Sequence, residues 1–160
     1  MHNNAQLLTR FYTAFQQLDA ETMASCYAND VTFADPVFTH LQGQEAGDMW
    51  RMLCSQATQF SLTFSDIQAD DESGSAHWQA TYQFSKTGRT VHNKITANFE
   101  FQNGLIVRHT DDFDLWKWSR MALGPVGSVL GWSPFLQNKI RQMANHNLKR
   151  FMASNQAHEN

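Results

Sequence analysis

Residues 104–115 read GLIVRHTDDFDL and predict the last strand of a β-sheet, entered from a hairpin turn at Asn103 and Gly104. Side chains alternate between the two faces of a strand, so the odd-numbered residues should share one face. That set is Leu105, Val107, His109, Asp111, Phe113 and Leu115. Burying a lone carboxylate is costly unless it is paired, hydrogen-bonded or neutralised. His109 and Asp111, placed inside this otherwise apolar set, are therefore candidate functional residues.

Three more strands are predicted upstream, because apolar and polar residues alternate between residues 60 and 101. The apolar positions are Phe60, Leu62 and Phe64, then Trp78, Ala80, Tyr82 and Phe84, and then Val91, Ile95, Ala97, Phe99 and Phe101. Asn93 is a polar exception on the apolar face of the third of these strands. Strands with one apolar and one polar face are typical of an antiparallel sheet that packs on a core through a single face.

The first 58 residues carry the patterns of three helices and one short strand. The helix starts are marked by Asn3 and Asn4, by Asp19 and by Gly43. Between the second and third helices, residues 31–35 (VTFAD) alternate like a strand that Pro36 ends. Asp35 shares its face with Val31 and Phe33, so a second carboxylate is predicted to point inward. It is either a functional group or a residue that stabilises a local turn.

This order of elements predicts an α+β domain, in which a curved antiparallel sheet packs against three N-terminal helices and forms a cone. Residues 1–115 would form the cone domain, and residues 116–160 a C-terminal helical extension that packs on it. Glycines and prolines break residues 121–136, and a last helix is expected from Phe135. Such a cone would enclose an apolar pocket for a small molecule. The predicted substrate-binding residues are Tyr12, Phe33, Trp50, Trp78, Tyr82, Asn93 and Phe113.

Composition favours one folded domain, since 42% of the 160 residues are hydrophobic and the net charge is only −3. The charge is uneven: residues 1–114 carry fourteen acidic and six basic side chains, and residues 115–160 carry one acidic and six basic ones. A basic tail on an acidic body can meet a membrane surface, a nucleic acid or the body itself. We expect the tail to fold back on its own domain, without a nucleic-acid partner.

The sequence predicts neither a metal site nor a cofactor. Its seven histidines show no HxH or HExxH spacing, and there is no glycine-rich phosphate loop. Cys26 and Cys54 are interpreted as buried free thiols of a reducing compartment, although a disulfide between them stays open. Neither a signal peptide nor an apolar run of membrane-spanning length is recognised. We therefore expect a cytoplasmic location.

Three segments resemble the nuclear transport factor 2-like (NTF2-like) superfamily, which includes ketosteroid isomerases and SnoaL-type polyketide cyclases. They are residues 27–36 (YANDVTFADP), 43–45 (GQE) and 104–111 (GLIVRHTD). The similarity spans about residues 5–115. It implies the cone fold, and a fold that hosts many activities does not by itself specify the reaction.

The resemblance also implies roles for individual residues. Asp35 corresponds to the general base of the ketosteroid isomerases. Asp111 corresponds to the last-strand aspartate of the SnoaL-type cyclases, with His109 two residues before it. The isomerases complete their site with an oxyanion hole made by a tyrosine and a protonated aspartate. The tyrosine position falls on Phe11, beside Tyr12, so the chain departs from that hole. The aspartate position falls near a second apolar residue, Ala97.

These features predict a cofactor-independent enzyme that abstracts a proton next to a carbonyl, as in isomerisation or aldol-type cyclisation. Asp35 or Asp111 would be the base, and His109 would orient a carboxylate or donate a proton to the developing oxyanion. The alternative is a non-catalytic ligand-binding or dimerisation module. In it, His109 and Asp111 would be a satisfied buried pair, and a homodimer would form through the sheet. A third hypothesis is a peripheral protein that docks on membranes through its basic C-terminal segment.

Overall fold

The computed structural model describes residues 1–159 and confirms the α+β class. The helices are α1 (Asn3–Gln16), α2 (Ala20–Ser25), α3 (Gln44–Gln56), α4 (Leu115–Leu123), α5 (Pro125–Leu130) and α6 (Pro134–Glu159). The strands are β1 (Tyr27–Ala34), β2 (Leu41–Gln42), β3 (Ser61–Ala69), β4 (Ser73–Gln83), β5 (Thr90–Gln102) and β6 (Leu105–Asp112). In this described range, no helix combines the length and apolar character needed to cross a membrane.

The six strands form one curved, unclosed sheet in the order β2-β1-β6-β5-β4-β3. The predicted antiparallel meander is confirmed for β3 to β6. The short strand β2 was not predicted from sequence, and β1 pairs in parallel with β6. The helices cover one face of the sheet, and the core between them is rich in aromatic side chains. Its fully buried members include Leu8, Phe11, Tyr12, Met23, Phe33 and Met49.

The three predicted N-terminal helices are present, with one correction at the first. His2, and not an asparagine, caps α1, because its Nδ1 accepts a hydrogen bond from the Asn4 N–H at 3.0 Å. The Asn4 side chain instead donates to the carbonyl oxygen of Asp70 at 2.9 Å and fastens α1 to the β3–β4 turn. Asp19 caps α2 as predicted, since its carboxylate accepts a hydrogen bond from the Thr22 N–H at 3.1 Å.

The predicted face assignment of β6 is wrong in its first half. An irregularity in the pairing with β5 separates Ile106 from Arg108, as a β-bulge does. Ile106 is fully buried, whereas Leu105 and Val107, predicted to point inward, are half-buried. One extra residue in a strand exchanges its two faces, so the alternation holds only downstream of the bulge, where His109 is buried.

The predicted helical extension begins with two helices, α4 and α5, and the glycines of residues 121–136 join and pack them. Helices α4 and α5 meet at Gly124, whose φ of +67° favours glycine. They also cross closely at Gly127, where a Cβ atom would lie 1.9 Å from the carbonyl oxygen of Ser119. The last helix begins at Pro134, one residue before its predicted start, and it packs on the core through Leu148, which is 2% exposed.

Candidate functional site

Asp35 directly follows the end of β1, and Asp111 lies near the end of β6. In the parallel pairing of these strands Phe33 is level with His109 and Ala34 with Thr110, so one further step of this register puts Asp35 level with Asp111. Phe33 and His109 are both buried, and residues two positions apart point to the same face. The structure therefore brings together the three predicted catalytic residues, Asp35, His109 and Asp111, on the inner side of the sheet.

Asp35 organises the turn that follows β1. Its Oδ1 accepts hydrogen bonds from the backbone N–H groups of Val37 at 2.7 Å and Phe38 at 2.6 Å. Its Oδ2 makes no hydrogen bond with a described residue. Burial and, to a smaller extent, the charge of Asp111 raise the pKa of Asp35 to about 7, against the hydrogen bonds from Phe38 and Val37, which lower it. At neutral pH both the protonated and the ionised form are therefore populated.

A chain of buried hydrogen bonds runs from α3 through β1 to β6. Trp50 Nε1 donates to the hydroxyl oxygen of Tyr27 at 2.8 Å, and that hydroxyl lies 2.7 Å from His109 Nδ1. His109 Nε2 lies 2.8 Å from Oδ1 of Asp111. Trp78 Nε1 donates to the same carboxylate oxygen at 3.4 Å. His109 is thus bonded at both ring nitrogens and holds Asp111 in place.

One arrangement of hydrogens gives every group of this chain a partner. The hydroxyl of Tyr27 already accepts a hydrogen bond from Trp50, so its own hydrogen is free to be donated to Nδ1 of His109. The N–H on Nε2 of His109 then donates to the carboxylate of Asp111.

Tyr12 supplies an unused hydrogen-bonding group beside the carboxylates. Its hydroxyl is the single buried side-chain polar atom without a partner among the residues that the structure describes. Burial raises the pKa of Tyr12 well above its usual value, and the nearby charge of Asp111 raises it further, so the hydroxyl stays protonated. A buried, protonated and unpartnered hydroxyl can donate to a ligand oxygen without giving up a protein contact.

Tyr82 presents a second hydroxyl near Asp35. Trp118 Nε1, from α4, donates to the Tyr82 oxygen at 2.8 Å, which leaves the tyrosine hydrogen available. Burial raises the pKa of Tyr82, the hydrogen bond from Trp118 lowers it, and the charge of Asp35 raises it. The effect of Asp35 places its carboxylate within electrostatic reach of the tyrosine.

The remaining predicted residues take different positions. Phe33 and Trp50 flank His109, with ring centroids 5.0 Å and 6.2 Å from the imidazole. Asn93 is 9% exposed and lies on the same face of β5 as the buried Val91 and Ile95. Phe113 lies just beyond the end of β6 and is half-buried. The aromatic side chains among these residues supply apolar surroundings, which raise the pKa of a carboxyl group.

Two cavities of the structure lie away from the carboxylates. One, of about 570 Å³, is lined by residues of the N-terminus and the β5–β6 turn, and another, of about 810 Å³, lies against β3 to β6. Neither is lined by Asp35, His109 or Asp111. The predicted internal pocket stays a prediction. In the described part of the chain, no three His, Cys, Asp or Glu side chains are placed to hold a metal ion.

Residues 8–109 match the model of the SnoaL-like domain family. The chain belongs to this family. The match covers α1 to the middle of β6, and the family lies within the NTF2-like superfamily that the sequence resembles. A search of curated proteins gives no match.

Solved structures share the fold of this SnoaL-like chain at low identity. An NTF2-like protein of unknown function from Burkholderia pseudomallei is 20% identical, with a TM-score of 0.66 over 76% of this chain and 98% of that one. An LEH-like epoxide hydrolase from M. tuberculosis is 19% identical, with a TM-score of 0.64 over 80% and 96%. A protein with a ketosteroid isomerase-like fold from Catenulispora acidiphila, solved with trimethylamine, is 12% identical, with a TM-score of 0.65 over 80% and 97%. Identities this low show a common fold and not a common reaction.

Sequence analysis missed three residues of this SnoaL-like site. Tyr27 has an odd residue number, as the inward-pointing Val31 and Phe33 of β1 do. This signal is weak, because the pairing of β1 with β6 shifts register between Tyr27 and Thr32. Trp118 reaches Tyr82 from α4. Arg141, from α6, donates to the carbonyl oxygen of Pro36 at 2.8 Å and fastens the turn next to Asp35. The last two contacts join residues that are far apart in sequence, so no local sequence pattern predicts them.

Proposed function

We propose that this SnoaL-like protein is a cofactor-independent enzyme that acts on a small, largely apolar carbonyl compound, with Asp35 as general base. The proposal is carried by the raised pKa of Asp35, about 7, beside Asp111 at the edge of an aromatic core. A base with a pKa near the working pH can both accept a proton and return it. An ordinary aspartate, with a pKa of about 4, would be too weak a base for this role.

The reaction would start with transfer of a proton from the carbon next to the carbonyl to Oδ2 of Asp35. The electron pair of the broken C–H bond would move onto the carbonyl oxygen and give an enolate. Return of the proton to another carbon completes an isomerisation. Alternatively, the enolate carbon attacks a second carbonyl, whose C=O electron pair moves onto its oxygen, and that oxygen takes the proton back from Asp35 to complete an aldol-type cyclisation. Neither route changes the oxidation level of the system, so neither calls for a redox cofactor.

Tyr12 and Tyr82 would bind the oxygen on which negative charge develops. Both hydroxyls have a hydrogen free to donate, since Tyr12 has no protein partner and Tyr82 only accepts from Trp118. One well-placed donor to such an oxygen contributes about 3 kcal/mol to transition-state stabilisation. His109 would act as a positioning residue, because both of its ring nitrogens are bonded to protein groups and it reaches the substrate only through Asp111.

A deuterium-exchange screen tests the proposal. Carbonyl compounds would be incubated with the protein in deuterated buffer, and exchange at the carbon next to the carbonyl would be followed by NMR. We expect catalysed exchange of at least one compound, lost in Asp35→Asn and retained in Asp30→Asn, an exposed aspartate of β1. Equal exchange by the wild type and Asp35→Asn would overturn the assignment of the base.

A non-catalytic ligand-binding module is the second candidate. One observation favours it, namely that His109 and Asp111 are bonded to protein neighbours and make a closed network. Such a protein would bind an apolar compound, and Tyr12 would contribute to affinity alone. Ligand binding that Tyr12→Phe weakens, without exchange of any bound carbonyl compound, would favour this candidate over the enzyme.

We also propose a homodimer through the outer face of the sheet. This face carries exposed polar side chains of β4 to β6 and a groove of about 810 Å³. Glu100 and Arg108, 4.0 Å apart across it, offer charges of both signs to a second copy. We expect light scattering to give a dimer mass that Arg108→Glu shifts to the monomer. A monomeric wild type would refute the dimer.

A cytoplasmic location is likewise a proposal. Its support is that Cys26 and Cys54 are both free and buried. Free thiols are typical of reducing compartments. The cellular location of a fluorescent fusion of the protein would test this proposal. Fluorescence outside the cell would contradict it.

A further inference from the structure

An apolar patch lies exposed on the C-terminal extension. It consists of Trp116, Val126, Val129, Leu130, Trp132 and Phe135, which are between 40% and 69% exposed. Five of the six lie within residues 126–135, and Trp116 of α4 lies next to this segment in space. Trp116 Nε1 donates to the carbonyl oxygen of Ser128 at 3.3 Å, and a Cβ atom on Gly131 would lie 3.0 Å from the Trp116 ring. A contiguous exposed patch of large apolar side chains indicates an interaction surface.

The packing of α5 turns its apolar side chains outward. Gly127 is the buried residue of this helix, and it lies against the backbone of α4 at Ser119. Val126, Val129 and Leu130 remain on the solvent side. A helix that stabilised only the core would bury its valines and leucine and expose its small residue. Here the glycine brings the helix close to α4, and the large apolar groups are left for a partner.

The charge around the apolar patch is positive. The guanidinium of Arg120 lies 5.0 Å from the centre of the Trp116 ring, and the ammonium group of Lys139 lies 4.9 Å from that of Phe135. Lys117 is exposed on the same helix as Trp116. The nearest preceding acid, Asp114, caps α4, and no Asp or Glu follows it until Glu159. The extension therefore combines exposed tryptophans with charged residues that are almost all cationic.

We propose that the apolar patch docks on the surface of an anionic lipid bilayer. Tryptophans, short apolar helices and flanking lysines and arginines together suit the boundary between lipid headgroups and acyl chains. Anionic headgroups complement Lys117, Arg120 and Lys139. A second copy of the chain fits less well, because pairing the patch with itself would bring its cations face to face.

Cosedimentation with vesicles tests this docking. The probes are vesicles of phosphatidylcholine alone and of phosphatidylcholine with about 30 mol% phosphatidylserine, a composition that gives a negative surface potential. We expect binding to the anionic vesicles only, weakened by added salt. Lys117→Gln with Arg120→Gln should weaken it about thirtyfold, since each such cation contributes about 1 kcal/mol. The matched control, Arg10→Gln with Lys149→Gln, removes two exposed cations of α1 and α6 outside the apolar patch and should bind like the wild type.

A second variant separates the lipid surface from other partners. Val129→Asp with Leu130→Asp changes two exposed residues, so we expect an unchanged circular dichroism spectrum and thermal transition, together with loss of vesicle binding. Absence of sedimentation by the wild type at low salt would overturn the proposal. So would self-association that this variant abolishes while vesicles bind neither protein, because the patch would then be an interface between copies.

Discussion

Asp35 serves the fold and the proposed chemistry with different oxygens. Oδ1 accepts two backbone hydrogen bonds and shapes the turn after β1, while Oδ2 is left for a substrate. Because burial favours the neutral carboxyl group, the folded protein holds a proton at pH values where the unfolded chain has released it. Ionisation of Asp35 in the folded state therefore costs stability, and this cost is the physical origin of its basicity.

The free energy of unfolding should reflect this cost. Between the unfolded pKa of about 4 and the folded pKa of about 7, the folded state binds more protons, so the contribution of Asp35 to stability falls as pH rises. Asp35→Asn keeps an oxygen acceptor and removes the charge. We expect it to exceed the wild type in unfolding free energy by a few kcal/mol at pH 8, with little difference near pH 4. Urea unfolding at several pH values measures this, and Asp30→Asn should show no such dependence.

Two buried tyrosines should respond oppositely to loss of the hydroxyl. Tyr27→Phe leaves Trp50 Nε1 without an acceptor and His109 Nδ1 without a donor, so it should lower the unfolding free energy by about 3 kcal/mol. Tyr12→Phe removes a hydroxyl that has no partner and should raise it by about 1 kcal/mol. Urea denaturation of both variants checks the pair. Equal losses of unfolding free energy in the two variants would contradict the assignment of hydrogen bonds to Tyr27 and of none to Tyr12.

Periodicity in the sequence predicts most elements, because helices and strands each bury one face of a regular repeat. It predicts His109 and Asp111 for the same reason, since polar residues at buried positions break the repeat. It does not reveal the bulge of β6, which shifts the repeat by one residue, or the parallel contact of β1 with β6. It predicts a helical extension after residue 115, but it does not reveal that glycine is a packing residue, and not a helix breaker, where α4 and α5 cross.

The crossing of α4 and α5 depends on Gly127. Gly127→Ala would place a methyl group 1.9 Å from the carbonyl oxygen of Ser119, so the two helices must separate. We expect a loss of about 3 kcal/mol in unfolding free energy, at the upper end of overpacking costs. Val126→Ala, an exposed position on the same helix, should change it by less than about 0.5 kcal/mol. Thermal and urea unfolding compare the two variants.

At the scale of the whole molecule, the basic C-terminal extension contacts the acidic N-terminal part through α6. Helix α6 packs on the core through Leu148 and is bonded to the turn of Asp35 by Arg141. From these contacts along α6 we propose that the tail folds back on its own domain. The apolar patch at the start of the extension is left exposed. One segment therefore supports the candidate site and offers the surface proposed for membrane docking.

Substitution of Leu148 tests how much the extension contributes to the free energy of unfolding. Leu148→Ala should cost about 3 kcal/mol, because this side chain is 2% exposed and its removal leaves a cavity in the core. Leu130→Ala is the matched control, since it removes the same atoms at an exposed position and should be nearly neutral. Similar unfolding free energies for the two variants would show that α6 does not pack on the core in solution.

We propose above that Asp35 is a base with a pKa near neutrality beside Asp111, and an NMR titration of its ¹³C-labelled carboxyl group measures this pKa. We expect a pKa of about 7 in the wild type and a lower pKa in Asp111→Asn, because the neighbouring charge is gone. A pKa of about 4 in the wild type, unchanged by the substitution, would refute the proposed base. It would leave Asp35 as a turn residue without a chemical role.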